Sequence, residues 1–126
     1  MQAVDTNVLV RLIARDDAGQ VESAERFLAH GAWVSVLALA ETIWVLDRTY
    51  RLNTADLADT VEEFLNHAGL VLQDPDVVAA ALQLFRAKPS LGFSDCLMLE
   101  IARKAGHVPL GTFDRTLGKV DGARKL

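Results

Sequence analysis

The sequence predicts an α/β fold, a three-layer α/β/α sandwich around a small central parallel sheet. Short apolar segments alternate along the chain with longer segments whose apolar residues recur at helical spacing. Strands that alternate with helices pair in parallel, because each connection is long enough for a helical crossover. The chain has 126 residues, 51% of them hydrophobic, and contains no internal repeat or linker-like stretch. These observations predict a single domain over residues 1–126.

The short apolar segments are predicted as strands because polar or turn-forming residues bound them. The predicted strands are residues 3–4, 33–34, 70–72, 108–113 and a last edge strand near Ala123. In parallel sheets of this kind, functional sites form at the carboxyl ends of the strands.

The intervening segments are predicted as helices from their apolar spacing, with capping residues at their starts and glycines at their ends. The first predicted helix follows Asp5 or Thr6, the second covers residues 19–30, and the third runs from Ser35 to about Tyr50. The next three are predicted from Thr54 to about Gly69, from Pro75 to a loop at residues 88–93, and from Ser94 to Ala105. A short helix is predicted after Arg115. Ser35 and Ser94 are predicted N-caps.

Composition predicts a soluble cytoplasmic protein without a membrane segment. The N-terminus lacks the basic start and long apolar stretch of a secretory signal, and no apolar run approaches the ~20 residues of a membrane-spanning helix. The single cysteine, Cys96, fits a reducing compartment. The net charge of -4 argues against a nucleic-acid partner, unless clustered acids hold cations that reverse the local sign.

Most of the 17 acidic residues are expected to cap helices or to pair with basic residues, but these roles do not readily account for four of them. Asp5 follows a predicted buried strand, and Asp114 ends the fourth strand. Glu41 interrupts a strongly apolar helix, where a lone buried glutamate is rare. Asp95 opens a helix among apolar residues. Asp5 and Asp95 could also be plain N-caps.

All four acids are predicted to approach one edge of the sheet. Two of them stand at strand ends, and the other two lie near the starts of helices. Clustered carboxylates repel one another, and a hard divalent cation relieves that repulsion with oxygen ligands. The sequence therefore favours a metal site made of Asp5, Glu41, Asp95 and Asp114.

At these positions the sequence resembles the PIN-domain nucleases, and most closely the VapC-type toxin ribonucleases of type II toxin–antitoxin systems. The resemblance covers nearly the whole chain. The matching motifs are Val4-Asp5-Thr6-Asn7-Val8-Leu9, Ala40-Glu41, Phe93-Ser94-Asp95, Thr112-Phe113-Asp114-Arg115 and the closing Gly122-Ala123-Arg124-Lys125-Leu126.

The resemblance implies a PIN fold, endoribonuclease activity that depends on Mg²⁺ or Mn²⁺, a cognate antitoxin protein and a homodimer. Asp5 and Asp95 match the main metal ligands of the family, and Glu41 and Asp114 would complete the set directly or through water. Asn7 and Thr112 match positions that support the site by hydrogen bonding. The chemistry implied is metal-assisted hydrolysis of RNA phosphodiester bonds.

Basic residues are needed to contact the RNA backbone. Arg11 and Arg15 follow the Asp5 turn, and Arg115 and Lys119 lie in the basic last dozen positions, so these four are candidate RNA contacts, with solvated surface charge as the equal alternative. The aromatic residues Trp33, Trp44 and Phe113 are expected in the core rather than as base-stacking platforms.

Other functions stay open from the sequence. A phosphatase could use Asp5 as an aspartyl nucleophile, although Asn7 stands where such sites usually carry a second acid. A non-catalytic binding module with the same fold would not need all four acids. A nuclease acting on structured DNA is a third alternative. Cys96 lacks a spaced histidine partner and is expected as a packed helix thiol.

Overall fold

Six α-helices and five short β-strands make up the fold, and the computed structural model describes all of residues 1–126. The chain divides into two structural units, Met1–Pro75 and Asp76–Leu126. Each unit combines helices with its own parallel sheet. The predicted α/β class with parallel strands is therefore confirmed. No helix is both long enough and apolar enough to cross a lipid bilayer.

The first unit is built around a three-stranded parallel sheet in the order β1-β2-β3. Its elements are β1 (Gln2–Ala3), α1 (Thr6–Ala14), α2 (Ala18–Leu28), β2 (Ala32–Val34), α3 (Val36–Arg48), α4 (Thr54–Asn66) and β3 (Leu70–Leu72). Ala3 pairs with Trp33, and Trp33 with Val71. The carboxyl ends of the three strands therefore lie at the same edge of this sheet.

The core of the first unit comes from the apolar stripes of its helices. Leu9 of α1, Leu39 and Leu46 of α3 and Val61 of α4 are almost wholly buried. Burying a side chain of this size stabilises the fold by roughly 1.5–3 kcal/mol relative to leaving it exposed. This packing fixes α1 and α3, the two helices that carry the acids predicted in this unit.

Side-chain caps set the starts of α1 and α3. An Asp5 carboxylate oxygen accepts a hydrogen bond from the backbone N–H of Val8 at 3.2 Å. The Ser35 hydroxyl accepts from the backbone N–H of Ala38 at 3.0 Å. Each cap satisfies a donor that the first helical turn leaves without a partner. The predicted caps at Asp5 and Ser35 are confirmed.

The second unit pairs two helices with a two-stranded parallel sheet. Its elements are α5 (Pro75–Ala87), which starts at the last residue of the first unit, α6 (Phe93–Ala105), β4 (Leu110–Thr112), a short 3₁₀ helix (Leu117–Lys119) and β5 (Ala123–Lys125). Thr112 is in register with Lys125. The rings of Phe85 and Phe93 pack edge to face with centroids 5.7 Å apart, which joins α5 to α6.

Two local predictions in the second unit are wrong. Ser94 does not cap α6, because the helix begins one residue earlier and its N-cap is Gly92, which has no side chain to donate or accept. The fourth strand covers only Leu110–Thr112. Proline at 109 has no backbone N–H for strand pairing, and beyond Thr112 the chain enters a turn.

The expectation that three aromatic residues are core residues is also wrong. Trp33 is 37% exposed, Trp44 56% and Phe113 80%. Trp33 alternates with the buried Ala32 and Val34 and so faces away from them. Phe113 lies beyond the end of β4, where no strand neighbour covers it.

Candidate active site

Asp5 stands at the carboxyl end of β1 and at the start of α1. One of its oxygens, Oδ1, accepts from Val8, and the side chain is exposed. The cap holds the carboxylate in one orientation and leaves Oδ2 available for another ligand. Asp5 is therefore a helix cap that still has a carboxylate oxygen to offer a metal ion. The sequence left open whether Asp5 is an N-cap or a metal ligand, and the two roles are compatible.

Glu41 is exposed, so its expected burial among apolar residues is wrong. It lies in the second turn of α3, on the face that also carries the exposed Leu37 and Trp44. The apolar residues around it in sequence point to the opposite side of the helix. Because α3 follows β2 and Asp5 follows β1, both acids lie beyond the carboxyl edge of the three-stranded sheet, as predicted for this pair.

Asp95 and Asp114 interact in the second unit. Asp95 occupies the first turn of α6 and is half-buried, and Asp114 follows β4. Burial raises the pKa of Asp95 above its ordinary value, and the charge of Asp114 raises it further. The two carboxylates are therefore close enough to repel each other when both are ionised.

The turn that carries Asp114 is fixed by hydrogen bonds on both sides. The Thr112 hydroxyl oxygen accepts from the backbone N–H of Asp114 at 3.0 Å. An Asp114 carboxylate oxygen accepts from the backbone N–H of Leu117 at 2.7 Å, and the Asp114 carbonyl accepts from Gly118 at 2.9 Å. Thr112 thus positions a predicted ligand.

Asn7 lies in the first turn of α1 and is exposed. It lines a cavity of about 580 Å³ between α1 and α2, together with Arg11 and Phe27. Its predicted hydrogen bond in support of the acids stays a prediction.

The four candidate RNA contacts differ in their partners. Arg11 binds Asp16 at 3.2 Å and the Tyr50 hydroxyl at 3.1 Å, and Arg15 binds Glu25 at 3.0 Å. The hydrogen bond to Tyr50, followed by the charge of Asp16, raises the pKa of Arg11. By contrast, the exposed side chains of two other candidates form no ion pair with an acid. These are Arg115 and Lys119.

Cys96 is fully buried in α6. Burial raises the pKa of its thiol to about 12, with further contributions from the charges of Asp95 and Glu100. A thiol of this kind stays protonated at neutral pH and is a poor nucleophile. The expected packing role of Cys96 is confirmed.

The chemistry of the predicted residues fits a divalent cation, although no group of three or more His, Cys, Asp or Glu side chains is placed to hold one ion. Every predicted ligand offers carboxylate oxygens, which suit Mg²⁺ and Mn²⁺. Burial and then the charge of Asp114 raise the pKa of Asp95, and a bound cation would relieve the repulsion between the two carboxylates.

Sequence reasoning missed two exposed aromatic residues next to predicted acids. Phe113 immediately precedes Asp114. Trp44 lies one helical turn beyond Glu41, and the Arg48 guanidinium sits 5.7 Å from the centre of its ring. The spacing of positions 41, 44 and 48 could have shown that Trp44 lies on the same helix face as Glu41.

The comparisons with known proteins point to one family. The family model described as the PIN domain matches residues 3–123, which is nearly the whole chain and includes residues of both units. A search among curated proteins found no match, and neither did a search among solved structures. PIN domains are in general nucleases, and PIN-domain nucleases bind RNA and generally use divalent metal ions. With this match added to its α/β fold and parallel strands, the chain belongs to the PIN-domain family.

Proposed function

We propose that the chain is a metal-dependent endoribonuclease that hydrolyses RNA phosphodiester bonds. The observation that carries the proposal is the carboxylate pair of the second unit, in which burial and then the charge of Asp114 raise the pKa of Asp95. Burial and the neighbouring charge disfavour the ionised form of Asp95, and a bound cation would relieve the repulsion between the two carboxylates. Membership of a family of nucleases supports RNA hydrolysis as the use of that cation.

In this proposal Asp5 and Asp95 are the main metal ligands, and Glu41 and Asp114 complete the ligand set directly or through water. Mg²⁺ is the expected cation, with Mn²⁺ as a substitute. Carboxylate oxygens are the ligands that both ions prefer.

A bound divalent cation would supply a water of lowered pKa and positive charge for the scissile phosphate. The chain's own residues hold the acids in place for this chemistry. The Val8 N–H orients the Asp5 carboxylate, and the Leu117 N–H and the Thr112 hydroxyl fix Asp114 and its turn. In the reaction a water oxygen forms a bond to phosphorus, and the bond from phosphorus to the leaving ribose oxygen breaks.

The RNA backbone is proposed to follow basic residues of the second unit. Arg115 and Lys119 are exposed and form no ion pair, so they can contact phosphate without breaking an existing ion pair. Arg11 and Arg15 remain candidate contacts, but each would have to leave or share its carboxylate partner.

We further propose that the protein is the toxin of a toxin–antitoxin pair, that it acts in the cytoplasm as a homodimer, and that a cognate antitoxin protein blocks its site. This rests on the resemblance of its motifs to VapC-type toxins. Expression of the wild type alone is then expected to arrest the growth of host cells, and expression of Asp5→Asn is not.

The test of the nuclease proposal is cleavage of a single-stranded RNA by the purified protein. The wild type is expected to cleave in Mg²⁺ and to stop when EDTA is added. Asp5→Asn and Asp95→Asn should each lose activity by about 100-fold or more, because each removes a charged ligand while keeping the shape of the side chain. Circular dichroism checks that the variants are folded.

Glu63→Gln and Asp121→Asn are the matched controls, since each neutralises an exposed acid outside the proposed ligand set. Both should cleave like the wild type. Unchanged cleavage by Asp5→Asn, or cleavage that persists in EDTA, would overturn the proposal. A phosphorylated Asp5 intermediate would favour a phosphatase instead.

A further inference from the structure

Phe113 is the most exposed of the five phenylalanines. Its side chain is 80% exposed, whereas Phe64, Phe85 and Phe93 are each less than 5% exposed. Burying a phenylalanine stabilises a fold substantially, so nothing in the packing of the second unit accounts for this residue. A single exposed apolar residue is ordinary in itself, and its neighbours decide whether it has a role.

The backbone on either side of Phe113 is fixed. The Thr112 hydroxyl oxygen, on one side of Phe113, accepts a hydrogen bond from the backbone N–H of Asp114 on the other side. The Asp114 carboxylate accepts from the Leu117 N–H, and the Asp114 carbonyl accepts from the Gly118 N–H. The Leu126 N–H donates to the Thr112 carbonyl at 2.8 Å. The backbone that carries the ring is therefore held in place one residue from a proposed metal ligand, rather than on a loosely attached loop.

Basic residues are frequent in the segment that follows Phe113, although Asp114 and Asp121 are acidic. Four basic side chains of the last twelve residues are exposed and form no ion pair with an acid. They are Arg115, Lys119, Arg124 and Lys125. Gly111 is in register with Arg124 and Thr112 with Lys125, so two of these residues lie on the strand next to the one that ends before Phe113.

We propose that Phe113 is a stacking platform for a base of single-stranded RNA, and that it positions the nucleotide next to the phosphate being cleaved. The proposal rests on the proposed function. A flat ring beside several cations is the combination that binds single strands, since bases stack on the ring while phosphates contact the cations. An interface with another protein is disfavoured, because the centres of such interfaces are depleted of charged residues.

Stacking of this kind depends weakly on base identity, because every base has an aromatic face. The acids would then hold the cation for hydrolysis, while Phe113 would determine which phosphate lies beside that cation. Loss of the ring should weaken RNA binding and raise KM by about tenfold, with a smaller effect on kcat. Phe113 is a positioning residue in this account.

The experiment compares Phe113→Ala with Phe113→Trp, and with Val108→Ala as a matched control. Val108 is an exposed apolar residue of the same unit, 47% exposed, and has no place in the proposal. Binding is measured by the fluorescence of a single-stranded RNA that contains 2-aminopurine, in Mg²⁺, with Asp5→Asn added to each protein to prevent cleavage. Cleavage kinetics are measured with Asp5 intact.

Phe113→Ala is expected to bind the RNA about tenfold more weakly and to lose the 2-aminopurine quenching that stacking produces, while Phe113→Trp and Val108→Ala keep both. Equal binding and equal KM in Phe113→Ala and the wild type would overturn the stacking role and leave the nuclease proposal intact. A wild type that binds with Phe113-dependent quenching but never cleaves would overturn the nuclease proposal alone. A Phe113→Ala protein that changes oligomeric state with unchanged RNA binding would identify an interface between copies and overturn the inference.

Discussion

At the scale of single residues, Asp5 has a structural and a chemical role in one side chain. Its Oδ1 caps α1 through the Val8 N–H, and its Oδ2 is available for a cation. The capping role and the metal-binding role depend on different properties of the Asp5 carboxylate. Capping needs an oxygen acceptor, which asparagine also provides, whereas metal ligation is far stronger with a negative charge.

The two roles of Asp5 can be separated by substitution. Asp5→Ala removes the cap and is expected to lower the free energy of unfolding by about 1 kcal/mol, whereas Asp5→Asn is expected to change it by only a few tenths. Both variants should lose RNA cleavage. Urea denaturation in EDTA measures the stabilities. Equal destabilisation by both substitutions would show that the carboxylate charge, rather than the cap, stabilises α1.

Asp95 is a residue whose ionised form the fold disfavours. Its pKa is raised by burial and by Asp114, so in the pH range between the ordinary and the raised pKa the folded state binds more protons than the unfolded state. Stability contributed by this group is therefore present at low pH and is lost as the pH rises through that range.

Asp95→Asn is accordingly expected to be more stable than the wild type at about pH 7 in EDTA, and the difference should shrink as the pH falls to about 4. Thermal unfolding at a series of pH values measures the difference. Asp121→Asn, which removes an exposed carboxylate elsewhere in the same unit, is measured alongside for comparison. A difference between Asp95→Asn and the wild type that stays constant with pH would contradict the raised pKa of Asp95.

At the scale of elements, the turn after β4 determines where Asp114 lies. The Thr112 hydroxyl oxygen is the acceptor for the Asp114 N–H. Thr112→Val keeps the shape of the side chain but removes this acceptor, so we expect a loss of roughly 1 kcal/mol in stability and a lower cleavage rate. Thr112→Ser restores the hydroxyl and should recover both. A Thr112→Val protein that cleaves like the wild type would show that this hydrogen bond does not position Asp114.

Most elements could be predicted from the sequence because their local signals agree. The helix α3 has a serine cap at Ser35 and an apolar stripe, and it lies where the spacing places it. The start of α6 could not be predicted in the same way, because Ser94 resembles a cap but the backbone of Gly92 takes that position. The predicted burial of Phe113 and Glu41 was wrong for a related reason. Apolar neighbours in sequence do not show which face of a helix or strand other parts of the protein cover.

The four-acid composition of the candidate site stays a prediction, whereas some contacts of its residues can be compared with the sequence. The interaction of Asp95 with Asp114 agrees with the expectation, drawn from their helix-start and strand-end positions, that both lie near one edge, and the meeting of all four acids stays a prediction. The partners of Arg11 and Arg15 were not predictable, because surface ion pairs depend on side-chain reach rather than on a pattern in the sequence.

At the scale of the whole molecule, charge is distributed in a way that suits a metal-dependent nuclease. The net charge is -4, but the last twelve residues carry four exposed basic side chains without ion pairs. The family match extends over both units. Bound cations would offset the acids locally, so the overall negative charge does not argue against an RNA substrate.

The central claim, that the predicted carboxylates hold a divalent cation, is tested most directly by Mn²⁺ binding followed by electron paramagnetic resonance of the free ion. The wild type is predicted to bind Mn²⁺, Asp95→Asn to bind it at least about tenfold more weakly, and Asp121→Asn to bind it like the wild type. Mn²⁺ binding of equal strength in the wild type and Asp95→Asn would contradict the claim.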